Sequence, residues 1–148
     1  MHPQTIDHQT EGGKKYFFAV AGEDSILVGS TVRWALVSEE TGYEGRAVML
    51  SDADTIPCGV ACSAGNSGDV IRVQCGGLGD VDIITNGDND IAAGNLLFAV
   101  ANGVVDSSAL AGDPATDIVL STVGLALEDD GDTLVAAGGY VLFPFGAP

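Results

Sequence analysis

A chain of 148 residues, 46% of them hydrophobic, has room for one domain or for two small halves packed intimately together. Its 21 acidic against 5 basic residues give a formal charge of −16, which repels phosphate backbones and argues against a nucleic-acid partner. No apolar run reaches about 18 residues, so no membrane span is expected, and 21 glycines against 5 prolines point to many tight turns rather than disorder.

The opening segment, MHPQTIDHQTEGGKK, has no apolar stretch of the kind a secretory signal carries, so synthesis and folding in the cytoplasm of the producing cell are expected. In it Asp7 and Glu11 balance Lys14 and Lys15, so residues 1–15 are neutral and residues 16–148 carry the whole −16. The segment is polar, contains Gly12-Gly13 and lacks apolar alternation, which predicts a flexible amino-terminal arm over 1–15 ahead of a single β domain over 16–148. Aspartate outnumbers glutamate 15 to 6 and lysine occurs only at 14 and 15. Such a surface suits either an ordinary acidic protein or a very salty medium, where screening shrinks to about 3 Å at 1 M salt.

From Tyr16 onward the apolar runs are short, rich in Val, Ile, Leu and Phe, and broken by Gly, Asp and Asn, which is the pattern of strands and turns. Strands are expected near 16–21, 31–37, 45–50, 56–62, 69–75, 81–85, 95–101, 117–120, 122–127, 132–137 and 140–143. The runs NGD (86–88) and DDGD (129–132) supply residues that tolerate positive φ. Only SEETG (38–42) and SSALAG (107–112) have the composition of a single helical turn.

Two phrases are written twice. SILVGSTVRW (25–34) aligns with DIAAGNLLFA (90–99), and Gly59-Val60-Ala61 with Gly124-Leu125-Ala126, both at an offset of 65 residues. After a turn two residues shorter in the second copy, Gly68-Asp69 matches Gly131-Asp132. The expected architecture is therefore all-β: a small sandwich or barrel of two similar units, roughly 26–76 and 91–138, each burying an apolar face against the other.

Candidate chemistry is sparse. His2 and His8 both lie on the arm, so no Ser-His-Asp or Cys-His arrangement is supported, and neither is a zinc site. Cys58 and Cys62 would share a face of an extended strand at roughly 13 Å, beyond disulfide reach; Cys75 can approach one of them across a hairpin. The three read best as small buried hydrophobes. No GxGxxG or Walker-type lysine marks a phosphate cradle, and no cofactor is implied. The acidic runs NGDND and EDDGD make Asp88, Asp90, Asp129 and Asp132 weak calcium candidates, although neither run fits an EF-hand loop and both read more simply as solvated turns. Trp34, in TVRWALV, reads as a core or interface residue rather than a sugar platform.

The segment TIPCGVACSAGNSGDVIRVQCGG resembles a signature of phage capsid decoration proteins, also called head cement proteins. The later phrases Gly94-Asn95-Leu96, Asn102-Gly103-Val104, Val123-Gly124-Leu125-Ala126-Leu127 and Gly131-Asp132 resemble the carboxy-terminal half of that family, with Asn95 where Asp is usual and Thr122 before the second Val-Gly. The resemblance spans about residues 26–143. It implies a non-enzymatic virion protein on the outer surface of an icosahedral head, assembled as a homotrimer and clamping neighbouring major capsid proteins. On that reading Gln4, Thr5, Ile6, Lys14 and Lys15 are the candidate capsid-binding residues of the arm. Phe143 and Phe145, with Pro144 and Pro148 halting further pairing, are candidates for the oligomer interface. The competing reading is a calcium- or carbohydrate-binding β-module on a virion or cell surface.

Overall fold

A computed structural model describes residues 8–11, 14–39, 42–43, 45–53, 55–77, 81–87, 91–107, 122–129 and 134–138. The protein is all-β, and the one helical element among these residues is a 3-10 turn at Val37–Glu39. The first sheet contains β1 (His8–Glu11), β2 (Lys14–Ala21), β3 (Thr31–Trp34), β4 (Ala47–Leu50), β5 (Gly59–Ala61) and β6 (Val70–Gly77). Its order is β1-β2-β4-β3-β5-β6, and β6 pairs back onto β2, so β2 to β6 close into a five-stranded barrel. The second sheet contains β7 (Val81–Ile84), β8 (Leu96–Ala101), β9 (Val104–Asp106), β10 (Thr122–Ala126) and β11 (Leu134–Gly138), in the order β7-β11-β10-β8-β9. Matching β2–β6 to β7–β11 makes the two strand orders identical. The correspondence includes the parallel closure: β2 runs parallel to β4, and a parallel bridge joins Thr85, just after β7, to Val105 of β9.

One local device recurs and explains the repeated glycines. In the turn Leu27–Ser30 the Ser30 N–H donates to the Leu27 carbonyl at 3.0 Å, and the Leu27 N–H donates to Ser30 Oγ at 3.1 Å. In the turn Ala92–Asn95 the same bonds join Asn95 to Ala92, at 3.0 and 2.8 Å. Gly29 and Gly94 hold φ at +92° and +90°, the region a type II turn demands of its third residue. Each turn then grips one buried alanine of a facing strand. The Gly29 N–H donates to the carbonyl of Ala61, whose N–H donates to Ser30; Gly94, Ala126 and Asn95 repeat the arrangement. The turn Asn66–Asp69 does the same to Ala21.

Alternation along β5 joins the two units. Ala61 packs into a core with Phe17, Ala19, Ile26, Val32, Val48, Ile71 and Val73 inside the first barrel. Its neighbour Val60 faces the other way, into a core with Ile83, Ile91, Leu97, Val105 and Val123. Residues opposite one another in an antiparallel pair share a face, so Val60 stands in a row with Thr31, Gln74 and Tyr16. All four are buried although they lie on the outside of the first barrel: Val60 enters the second unit's core, Thr31 is bonded to Gly103, and the Arg72 guanidinium lies over the Tyr16 ring at 4.5 Å.

Backbone bonds complete the junction. The β8–β9 hairpin turns through Asn102 and Gly103, both at positive φ (52° and 76°), as a type I′ turn requires. The Thr31 N–H donates to the Gly103 carbonyl and the Gly103 N–H to the Ser51 carbonyl, both at 2.8 Å, and the Asn102 N–H donates to Asp52 Oδ1 at 3.1 Å. On the other side the Ile84 N–H reaches the Gly29 carbonyl at 3.0 Å.

Two expectations are corrected. The arm is not strand-free throughout, since His8–Glu11 pairs antiparallel with Phe17–Lys14. The reason lies in β2: β4 pairs only with Val20 and Ala21, leaving that edge of the Lys14–Phe17 stretch to be satisfied by β1. The strand expected over 31–37 stops at Trp34 and yields to the 3-10 turn. The strands expected at 117–120 and 140–143, and all but Ser107 of the helical turn expected over 107–112, fall outside the described residues.

A Cβ at Gly103 would meet Leu50 Cδ2 at 2.7 Å and the Thr31 carbonyl at 3.1 Å, whereas one at Gly94 would meet nothing within 4 Å. Gly94→Ala should therefore cost only the left-handed backbone penalty, about 1–2 kcal/mol. Gly103→Ala should cost a further 1–3 kcal/mol or so from overpacking. Equilibrium urea unfolding of both variants checks the order, and equal losses would contradict it.

Candidate docking surface

A surface shaped to receive another molecule lies at the end of β3 remote from the Gly103 junction. Arg33, Trp34 and Leu36 form one wall and Thr55, Ile56, Pro57 and Cys58 the other, around a groove of about 340 Å³. Trp34 and Leu36 are 42% and 61% exposed, and Val37 beside them is 77% exposed. Apolar side chains displayed together in this way mark interaction surfaces.

The groove is built from both walls upward. Trp34 stacks on Phe17 of β2, ring centroids 5.0 Å apart and planes 25° from parallel, which fixes the indole while leaving part of it in solvent. Arg33 makes a two-pronged ion pair with Glu39: Nη1 donates to Oε2 at 3.0 Å and Nη2 to Oε1. The Leu36 N–H donates to the same carboxylate, so the segment carrying Leu36 and Val37 folds back over the guanidinium. The opposite wall is held by a turn in which the Thr55 hydroxyl donates to the Asp52 carbonyl at 2.7 Å and accepts the Asp52 N–H at 2.9 Å. The Cys58 N–H ties that wall to Val32 at 2.8 Å. Hydrogen bonding from Arg33 holds the Glu39 carboxyl below its ordinary range, and bonding to Glu39 raises the guanidinium in turn. Among the described residues Arg33 is the groove's one charged lining residue, and Glu39 offsets its charge.

The sequence-expected site residues are scattered. Lys14 and Lys15 are the half-buried first residues of β2, paired in register with Glu11 and Thr10 of β1 and with Gly77 and Gly76 of β6. Gln4, Thr5 and Ile6 lie outside the described residues, as do Phe143 and Phe145. Of the calcium candidates, Asp88, Asp90 and Asp132 also lie outside them. Asp129 accepts the Ala93 N–H at 2.9 Å and serves a loop. Among the described residues no three His, Cys, Asp or Glu side chains gather as a metal site. All three cysteines are free; Cys58 and Cys75 are buried and Cys62 half-buried, and burial raises each thiol's pKa. The groove itself escaped the sequence reading because its walls come from segments about twenty residues apart. The exposed pair Leu36-Val37, placed where a strand was expected to continue, was the available signal.

The described residues thus form a small all-β protein with an apolar groove at one end of β3. No family model and no curated protein matches the chain. Among solved structures it is similar to the N base of head fibre gp8.5 in bacteriophage phi29, with a TM-score of 0.56 and 18% identity over 86% of this chain and 96% of that one. That similarity shows a shared fold.

Because Glu39 is more acidic in the folded chain, its ion pair adds stability that is complete above the ordinary carboxylate pKa of about 4.3 and is lost as pH falls through the lower native value. Glu39→Gln should therefore cost roughly 0.5–1 kcal/mol at pH 7, and the loss should vanish towards pH 3. Urea midpoints of both proteins at the two pH values test this; a loss that grows in acid would refute it.

Proposed function

We propose that this chain is a non-enzymatic structural protein of a virion, seated on the outer surface of an icosahedral head and holding neighbouring major capsid proteins together. The observation that carries the reading is the fold held in common with a phage head-fibre base over nearly the whole of both chains. Three properties of the chain support it. The acidic body would be repelled by packaged nucleic acid. The two units are locked by backbone bonds into a scaffold that offers a binding groove. The sequence phrases resemble those of capsid decoration proteins.

Assembly as a homotrimer and a capsid contact through the arm belong to the same proposal. Since β1 fastens residues 8–11 to the barrel, the contact is assigned to Gln4, Thr5 and Ile6, ahead of that strand. Lys14 and Lys15 open β2 and add positive charge on that side of the barrel, which favours an acidic shell surface.

Deleting residues 2–7 should leave the melting temperature of the free protein within about 2 °C, because it spares the β1–β2 pairing. It should weaken binding to undecorated heads at least tenfold. Electron microscopy of purified particles should show the full chain as protrusions at fixed lattice positions. Heads without such density, or a truncated chain that binds with undiminished affinity across a salt series, would overturn the head-surface role and the arm contact respectively.

A further inference from the structure

The groove and the end of the chain are complementary. Asp132 is the last charged residue, and the 16 that follow include Tyr140-Val141-Leu142-Phe143-Pro144-Phe145, an uncharged aromatic run. We propose that the groove lined by Trp34, Leu36, Ile56 and Pro57 is the seat of this run from a second copy of the chain, so that copies join head to tail.

Charge is the first argument. Each copy carries −16, so a contact between copies is least opposed by repulsion where both surfaces are uncharged. The groove meets that condition because Glu39 neutralises Arg33. The carboxy-terminal run meets it by composition. Reach is the second argument. β11 ends at Gly138, and the ten residues beyond it span up to about 35 Å when extended, enough to leave one barrel for another. The third argument is backbone chemistry. Pro144 has no N–H to offer a sheet edge, so the run would dock through Phe143 and Phe145 in the apolar cleft rather than as an added strand. Donor and acceptor surfaces then differ, and a contact of this kind closes into a ring when its rotation allows. The proposed homotrimer is such a ring. The inference rests on that assembly only for the number three.

The experiment needs no heads, so its result is independent of whether the protein decorates them. Two variants are made, one lacking residues 140–148 and one carrying Leu36→Glu. Leu36 is exposed, so the substitution spares the fold, which circular dichroism checks. Sedimentation should show the full-length chain as a trimer and each variant alone as a monomer. The two mixed should form a 1:1 heterodimer, one contributing its groove and the other its tail. A peptide of residues 139–148 added to the truncated chain should shift the emission of Trp34, the molecule's single tryptophan, and should leave the Leu36→Glu emission unchanged. A monomeric full-length chain, or a truncated chain that still forms trimers, overturns the proposal. So does a mixture that stays monomeric while truncation alone shifts Trp34, which would mean that the tail occupies its own groove.

Discussion

The structure depends on satisfying the main chain at one place, the tip of the β8–β9 hairpin. Buried peptide groups that lose their partners cost roughly 1–3 kcal/mol each, and Thr31 and Ser51 are both buried. Their free N–H and carbonyl groups are met by Gly103 and by nothing else in their own barrel. A side chain at this position would crowd Leu50 and the Thr31 carbonyl. The two units therefore associate through bonds of the kind that hold a sheet together, and β5 serves as a wall for both cores.

That arrangement leaves the remote end of β3 free. Residues near Thr31 are consumed in joining the units; three positions on, Trp34 is braced from behind by Phe17 and open in front. The scaffold is thus closed at one end of β3 and carries an open apolar cleft at the other. The turn that grips Ala21, Ala61 and Ala126 contributes rigidity at little cost in sequence, because it asks only for a glycine followed by a small polar residue whose oxygen reaches back three positions.

Much of the fold was legible because short apolar runs between glycines leave little freedom but strand and turn. The matched glycines at 29 and 94 proved to hold the same turn with the same bonds. The strand β9 was missed although Asn102-Gly103 is a strong two-residue hairpin signal, since Val104–Asp106 is too short to show alternation. The strand β1 was hidden by its polar composition; its pairing answers a need of β2 that no local pattern reveals. Burial of Thr31, Ser51 and Gln74 was equally invisible, because their polar side chains mark them as surface until the second unit is placed over them. At the groove, Trp34 was legible only as a core or interface residue, and its neighbours Ile56 and Pro57 meet it only through the β3–β5 pairing.

The hairpin tip also sets a schedule for synthesis. A nascent chain that has emerged only as far as β6 possesses every strand of the first barrel, yet its outer face presents Thr31, Val60 and Gln74 without the second unit, with the Thr31 amide unpaired. Some twenty-five further residues must leave the ribosome before Gly103 arrives, about one to five seconds at ordinary elongation rates. During that interval the half-made protein displays a sticky flank to every other chain being translated on the same message. Crowded polysomes are thus where this fold is most exposed to pairing with the wrong copy of itself.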